Sequence, residues 1–358
     1  MRKTLFDSLM ISGFERIHTQ TLAWILSLEN EFFPNKAGFI EKLFDLQPGE
    51  VTCNDLYVET ELNQIDMFIQ TDKKQFLIEN KLQSSEHSNQ TIRYVGSIPE
   101  RLRDTQKLKQ YGYLSLTNEE PKNKEWIPIS FEKVRDLLRS IQWPGDRKET
   151  VFIQEYIYTL DNLVQVFNQF VSNHKDFNHV FTDGHKKKFE KQPFADESKE
   201  YIRKNQLETT FQKAFLKIIA REGHINYDEI GETRGTAFLQ INLGEINNLG
   251  EAFRLGFQFQ GRTLKINLAH KNYENSKPEQ ITEFLMNAFK NVFLHYNGYE
   301  KFNKPRSKAY ISVSKTAPKD ITELEKYELI IMLRDEIENL KIISQKFEKE
   351  LNTTFKRS

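Results

Sequence analysis

A change of hydrophobic period within the first 82 residues most constrains what this chain can fold into. Apolar residues recur at three- and four-residue spacing between Leu22 and Phe44, which predicts two helices separated at Pro34. Apolar and polar residues alternate over Ile65–Gln70, which predicts a half-buried strand. A polar turn over 71–74 then leads into a second strand. The chain therefore starts with helices and continues with a β-hairpin over 64–82.

The remaining pattern alternates between helices and strands, and 358 residues at about 150 per domain predict two domains. Before residue 173 we expect a strand at 55–62, a helical segment at 86–110, a strand at 113–117, and helices at 130–141 and 149–172. Later we expect a helix at 205–221, strands at 236–243, 253–260, 262–269 and 309–314, a helix at 278–296, and a long helix from about Ile321. Accordingly, residues 1–175 are expected to form one domain, 176–204 a polar linker and 205–358 an α+β domain.

The charges cancel over the whole chain but not within its halves. The 51 basic and 51 acidic side chains give a net charge of zero, which excludes a uniformly basic coat protein and an acidic tail protein. Residues 1–184 carry 21 Lys/Arg against 27 Asp/Glu, a net of −6. Residues 185–358 carry 30 against 24, a net of +6. We therefore expect the second half to supply the attraction for a phosphate-rich partner.

Several other protein classes are excluded by what the sequence lacks. Cys53 is the only cysteine, so neither an intramolecular disulfide nor a thiolate zinc cluster can form. The sequence contains no secretory pattern and no apolar run of about 18 residues, so we expect a cytoplasmic protein without a membrane span. It also lacks the glycine-rich motifs of the common nucleotide-binding folds.

Three charged residues of the hairpin carry the strongest chemical signal. Glu79 and Lys81 are two positions apart on one strand, so they share a face, while Asp66 lies on the neighbouring strand. Two close carboxylates repel each other unless a cation joins them, and oxygen ligands of this kind suit Mg²⁺ or Mn²⁺. A cross-strand salt bridge with a structural role is the alternative interpretation.

This arrangement resembles the active-site signature of the PD-(D/E)XK nuclease superfamily. Glu79-Asn80-Lys81 follows Asp66 by thirteen positions, after an N-terminal helical segment over 15–26 that resembles the first helix of the family. The segment from Asn89 to Tyr94 resembles the Gln-x-x-x-Tyr helix of one branch, and 114–117 resembles the next core strand. The sequence departs from the signature at Ile65, which stands in the place of its proline. The resemblance covers about residues 10–165.

The resemblance implies a restriction-endonuclease-like αβββαβ core with helical additions, within an α/β fold. It implies a metal-dependent endonuclease that hydrolyses phosphodiester bonds, with DNA as the expected substrate and restriction or phage defence as the expected role. Asp66 and Glu79 would bind the metal with support from Glu15, Lys81 would act on the water or the transition state, and Gln90 and Tyr94 would assist. A catalytically inactive binding or regulatory module of the same fold, and an RNA-directed nuclease, remain open alternatives.

The second half adds expectations about partners. Its basic side chains are candidates for nucleic-acid binding, because cations that neutralise phosphates release counter-ions. The candidates are Lys186, Lys187, Lys188, Arg306 and Lys308. A solvated charged face is the alternative.

An apolar stripe on the last helix indicates either a coiled-coil homodimer seam or a helix that packs on its own domain. We expect the homodimer, since two active sites would cut both strands of a duplex. The stripe consists of Ile330, Leu333, Ile337, Leu340, Ser344, Phe347 and Leu351.

Overall fold

The computed structural model describes residues 1–82, 90–97, 107–116, 120–182, 194–233, 235–248, 250–318 and 323–355. The chain divides into two compact units. The first contains Met1–Ser172 and Glu190–Thr210, and the second contains Asn173–Phe189 and Phe211–Ser358. The range expected to be a polar linker is thus shared between both units, and it contains two helices, α7 (His179–Thr182) and α8 (Glu197–Lys204).

The first unit contains a mixed sheet with helices around it. Its strands are β1 (Tyr57–Leu62), β2 (Ile65–Gln70), β3 (Lys74–Lys81), β4 (Leu108–Ser115) and β5 (Trp126–Ser130). Its helices, besides α8, are α1 (Leu5–Ser8), α2 (Glu15–Ser27), α3 (Lys36–Leu43), α4 (Gln90–Ser97), α5 (Phe131–Arg139) and α6 (Lys148–Ser172). The order α2, β1, β2, β3, α4, β4 is the expected αβββαβ order.

The five strands lie in the order β1-β2-β3-β4-β5. The first three pair antiparallel, while β3, β4 and β5 pair in parallel. Asn63 and Gln64 both have positive φ (51° and 75°), as a two-residue hairpin turn between β1 and β2 requires. The strand β3 is central, and all its residues except Lys81 are buried. Its C-terminal end is therefore enclosed by neighbouring strands on both sides.

The two faces of this sheet pack against different helices. The helix α2 packs across β1, β2 and β3. On the other face, Tyr94 of α4 joins a buried cluster with Leu77, Tyr111 and Trp126. Burying both faces explains why Phe76, Leu77 and Ile78 of β3 are consecutive apolar residues that do not alternate with polar ones. Glu79 and Lys81 lie on the face of α4.

The second unit is an antiparallel sheet covered by helices. Its strands are β6 (Glu229–Thr233), β7 (Thr236–Asn248), β8 (Glu251–Gln260), β9 (Thr263–His270), β10 (Lys301–Asn303) and β11 (Tyr310–Thr316). Its helices, besides α7, are α9 (Glu208–Glu222), whose first residues belong to the first unit, α10 (Glu283–Phe293) and α11 (Lys326–Phe355). The strand order is β10-β11-β9-β8-β7-β6.

The apolar stripe of α11 packs against its own unit. The helix contacts α10, β7 and β8, and every residue of the stripe from Ile330 to Leu351 is buried. Phe347, for example, makes ring contacts with Phe289 and Phe293 of α10. The stripe is therefore core of the second unit and is not available as the seam of a coiled coil.

The expected fold class is confirmed as mixed α/β with a second sheet and a long final helix. Two local expectations are wrong. The helical segment predicted to reach residue 110 ends earlier, because β4 begins at Leu108, and the final helix begins at Lys326. Strands β5, β6 and β10 were missed. Among the described residues, no helix is both long enough and apolar enough to cross a membrane.

Candidate active site

The sheet register brings Asp66 and Glu79 together. Met67 pairs with Ile78 across β2 and β3, so the preceding residue of β2, Asp66, faces the residue that follows Ile78, Glu79. An Asp66 carboxylate oxygen accepts a hydrogen bond of 2.7 Å from the backbone N–H of Asn80. This bond fixes the Asp66 side chain against the end of β3.

Glu79 is the buried centre of the site, with only 1% of its surface exposed. Its Oε1 lies 2.6 Å from the Lys81 ammonium and accepts a hydrogen bond of 2.6 Å from the Gln90 amide. Its Oε2 is buried and has no hydrogen-bond partner in the described part of the chain. A buried carboxylate oxygen without a donor is costly, so this atom is free to take a further ligand.

The helix α4 contributes Gln90 and Tyr94 to the same face, as expected for positions i and i+4. The Gln90 amide donates to the Tyr94 hydroxyl as well as to Glu79, over 2.6 Å in each case. The Tyr94 hydroxyl donates to the carbonyl of Gln64, 3.2 Å away in the β1–β2 turn. These bonds form a chain from the hairpin turn through α4 to the Glu79 carboxylate.

On the opposite face, Asn80 connects β3 to α2. Its side-chain amide donates to the carbonyl of Glu15 (2.8 Å) and to the hydroxyl of Thr19 (3.0 Å). The contacts hold the first turn of α2 beside the end of β3. The structure therefore places the backbone of Glu15 next to the site, with its side chain half-buried.

The pKa values in the site are shifted because the Asp66 and Glu79 carboxyl groups are largely buried from solvent. Burial raises the pKa of Glu79 to about 7, although the Lys81 charge lowers it; the Asp66 charge raises it further. Burial also raises the pKa of Asp66, against the hydrogen bond from Asn80. Burial lowers the pKa of Lys81, but the negative charges of Glu79, Asp66 and Glu15 outweigh this effect and raise the pKa above its ordinary value. The ammonium is therefore charged at neutral pH.

The donor set fits a hard divalent cation. Asp66 and Glu79 offer carboxylate oxygens only, the ligands that Mg²⁺ prefers, and in the described part of the chain Glu79 Oε2 has no hydrogen-bond partner that a metal would have to displace. Among the described residues, no three His, Cys, Asp or Glu side chains converge closely enough to hold a metal by themselves. Mg²⁺ commonly binds one or two carboxylates and keeps several waters, so two acids suffice.

Sequence reasoning missed the structural part of this site. Neither Asn80 nor Thr19 nor the Gln64 carbonyl was among the predicted site residues. Backbone acceptors leave no pattern in a sequence. The alternation of β3 does signal that Asn80 contacts whichever helix covers the second face.

The structure describes only two of the five basic residues that were predicted to bind nucleic acid. Lys186, Lys187 and Lys188 lie outside the described residues. Arg306 is exposed in the loop between β10 and β11, and the Lys308 ammonium in the same loop donates to the carbonyl of Glu274. The nucleic-acid contacts expected of these residues remain a prediction.

Comparison with known proteins finds a match to a family model. No curated protein and no solved structure matches the chain. The family model of the PD-(D/E)XK nuclease superfamily matches residues 6–227, more than half of the chain and all of the acid–acid–lysine site. On this match, and with the expected order of elements around Asp66, Glu79 and Lys81, the chain belongs to the PD-(D/E)XK nuclease superfamily.

Proposed function

We propose that this protein is a metal-dependent endonuclease that hydrolyses phosphodiester bonds, with DNA as its substrate. One observation carries the proposal. The Asp66 and Glu79 carboxylates and the Lys81 ammonium are held at the end of β3, and one oxygen of Glu79 is buried with no partner among the described residues. Membership of the nuclease superfamily implies a nucleic acid substrate. A role in restriction or phage defence is proposed by analogy alone.

Asp66 and Glu79 would hold a Mg²⁺ or Mn²⁺ ion, with Glu15 as the further acidic group beside them. When bound, such an ion lowers the pKa of a coordinated water and neutralises charge on the phosphate. Gln90 orients Glu79, because its amide binds Oε1 and leaves Oε2 for the ligand. Tyr94 holds Gln90 in turn, since the amide donates to its hydroxyl.

The charge of Lys81 decides its role. In hydrolysis a water oxygen forms a bond to phosphorus, the bond from phosphorus to the leaving oxygen breaks, and the water proton ends on the departing hydroxyl. An ammonium with a raised pKa is a poor base for that proton. Lys81 instead donates hydrogen bonds to the phosphoryl oxygens as their negative charge grows.

The test is nicking of supercoiled plasmid with Mg²⁺ and with a chelator, alongside single-stranded DNA and RNA. Asp66→Asn keeps an acceptor for the Asn80 N–H but loses the charge, and Lys81→Met keeps the chain length. We expect each to lose activity by about 100-fold or more. Lys73→Met, on the exposed β2–β3 turn, is the matched lysine control and should cut like the wild type. Equal activity in all variants would remove the assignment, and cleavage of RNA alone would change the substrate.

The ion pair between Lys81 and Glu79 favours a second candidate, a catalytically inactive binding module. In that case Lys81 serves as the internal counter-ion and no metal is needed. Calorimetric titration with Mn²⁺ separates the two candidates. Saturable binding that disappears in Asp66→Asn supports the nuclease, whereas no heat with or without DNA supports the inactive module.

A further inference from the structure

The second sheet has one face that the nuclease site does not use. Its inner face is apolar and packs on the helices, with Phe257, Ile266 and Val313 fully buried. The register places the other side chains of these strands outward in cross-strand rows. We call this outer side the amide face; at its centre Gln240, Gln258, Gln260 and Lys265 are half-buried, while Gly256 and Asn267 are buried.

Neutral hydrogen-bonding groups dominate the centre of this face. A solvated sheet face normally carries charged or hydroxyl side chains such as lysine, glutamate and threonine, which interact with water. Here the Asn267 amide donates a hydrogen bond of 3.3 Å to the Gln240 side chain, and both amides lie over Gly256. A Cβ on Gly256 would lie 2.2 Å from the Gln240 amide nitrogen and 2.9 Å from the Asn267 oxygen, so this glycine makes room for the two amides.

Lys265 lies in the interior of a cross-strand row of the amide face, between Ser314 and Gln258. Its ammonium donates to Gln258 (2.9 Å) and Gln260 (3.5 Å), and the described residues offer it no carboxylate within ion-pair distance. The side chain is half-buried, and burial lowers the pKa of Lys265. A half-buried cation that has only amides around it lacks a counter-ion, and an anionic ligand would supply one.

Charge varies across the amide face. At the β6 and β7 side, Glu229 ends the row of Lys265, and Glu245 ends another row, where it is paired with Lys271 over 2.6 Å. At the other side, Lys301 ends the row of Lys265, and the adjoining β10–β11 loop carries Lys304, Arg306 and Lys308. An anionic chain is therefore attracted to the β10–β11 side and repelled from the other.

The width of the face selects the kind of nucleic acid. Six strands at about 4.8 Å spacing span about 24 Å, twice the width of about 12 Å of a duplex major groove. The face cannot enter that groove, but unpaired bases can lie across it. Glutamine and asparagine amides match base edges, and Phe238 and Tyr310 provide partly exposed rings on two outer rows.

We propose that the amide face, centred on Lys265, binds single-stranded nucleic acid through its bases and one phosphate, with the backbone leading to the β10–β11 loop. The inference rests on the proposed function, because it supplies that nuclease with a surface for its substrate. It also identifies a second, non-catalytic binding site in the unit that the family signature does not include.

The test uses the full chain carrying Asp66→Asn, so that cleavage does not interfere, and fluorescence anisotropy of labelled 20-mers. The probes are single-stranded DNA, single-stranded RNA, the DNA duplex, and an abasic DNA strand of equal charge. We expect the intact single strands to bind more tightly than the duplex and the abasic strand. Adding Lys265→Met should weaken single-strand binding about tenfold and reduce the slope of log affinity against log salt by about one.

Two controls keep the result interpretable. Lys346→Met removes an exposed lysine from α11, away from the amide face, and should leave binding unchanged. Arg306→Ala tests the loop in a variant whose core is intact, and circular dichroism confirms the fold of each protein. Unchanged affinity in Lys265→Met, or equal binding of abasic and intact strands, would overturn the inference. If the wild type cuts nothing while Lys265→Met still weakens binding, the nuclease proposal fails and the amide face stands.

Discussion

Among the described residues, Glu79 has hydrogen-bond donors on one carboxylate oxygen only. The Lys81 ammonium and the Gln90 amide both approach Oε1, while Oε2 is buried without a described partner. The fold thus accepts an incompletely satisfied carboxylate, which is a cost that structures bear mainly where a ligand removes it. Its protonation should accordingly be coupled to metal binding.

We predict that Mn²⁺ affinity rises with pH around neutrality. A carboxylate must lose its proton to bind a metal, and burial places the pKa of metal-free Glu79 at about 7. Below that pH the proton competes with the metal, so affinity should fall about tenfold per pH unit, and above it affinity should level off. Calorimetric titration between pH 5.5 and about 8.5 measures this, since those values bracket a group titrating at about 7. An affinity independent of pH would contradict it.

His18 is held in its neutral form inside the first unit. One ring nitrogen lies 2.8 Å from the Ser12 carbonyl, so it must carry the proton, and the other accepts from the Tyr156 hydroxyl at 3.2 Å. Complete burial lowers the pKa of His18 to about 4, below its ordinary value of 6.5. The unfolded chain therefore takes up a proton at this position before the folded chain does.

This linkage predicts acid sensitivity of the first unit. The stability that neutral, buried His18 contributes is fully present above pH 6.5 and is lost as the pH falls towards 4. About 2 kcal/mol of the free energy of unfolding is already lost at pH 5. In His18→Gln this part of the pH dependence should vanish, although the variant is less stable at pH 7. Urea unfolding followed by tryptophan fluorescence at pH 7 and at pH 5 gives the change in the free energy of unfolding between the two pH values, for the wild type and for His18→Gln. An equal loss of stability between pH 7 and pH 5 in the wild type and in His18→Gln would show that other groups cause the acid sensitivity.

At the scale of elements, the contact of α2 with the end of β3 depends on a few hydrogen bonds. The Asn80 side chain supplies two of them, to the Glu15 carbonyl and the Thr19 hydroxyl. Thr19 itself donates to the Glu15 carbonyl over 3.2 Å. The bonds form a small closed set that orients the first turn of α2.

We predict that Asn80→Ala destabilises the first unit more than Thr19→Val. The alanine variant leaves the Glu15 carbonyl short of one donor and the Thr19 hydroxyl without a described donor, a loss of about 2 kcal/mol, while the valine variant should cost about 1 kcal/mol. Asn80→Ala keeps the backbone N–H that binds Asp66, so the effect on Asp66 is indirect. Urea denaturation ranks the two variants, and the reverse order would show that Asn80 does not connect the elements.

The sequence predicts elements well where periodicity is strong and poorly where tertiary context decides. The hairpin around Asp66 and Glu79 follows from alternation and a polar turn. Strand β5 was missed because Trp126-Ile127-Pro128-Ile129 is short and contains a proline, tolerated here at the edge of the sheet. The stripe of α11 has the spacing of a coiled coil, and only the structure shows that α10 and the sheet already cover it. Periodicity reveals which face is buried but not what buries it.

At the scale of the molecule, the two units have separate cores and separate spectroscopic signatures. All three tryptophans, Trp24, Trp126 and Trp143, lie in the first unit. Leu163 of α6 and Leu340 of α11 are fully buried in the first and second unit, respectively. Tryptophan fluorescence therefore reports the first unit, whereas circular dichroism reports both.

We predict that core truncations act on one unit at a time. Leu163→Ala and Leu340→Ala should each cost about 2–5 kcal/mol in the unit that contains the leucine. Leu340→Ala should lower the dichroism transition and leave the fluorescence midpoint in place, and Leu163→Ala should lower both. The oligomeric state, measured by light scattering, should not change in Leu340→Ala because the stripe is internal. A change of oligomer without loss of stability would restore the coiled-coil interpretation.

The path of the chain has a consequence for biosynthesis. The first unit uses Glu190–Thr210 as well as Met1–Ser172, and the segment between them belongs to the second unit. Tyr201 and Ile202 of α8 are buried side chains of that first unit. A nascent chain emerging from the ribosome in order cannot bury them until part of the second unit has also been made. Translation therefore completes the first unit only at Thr210, after Asn173–Phe189 of the second unit have been made.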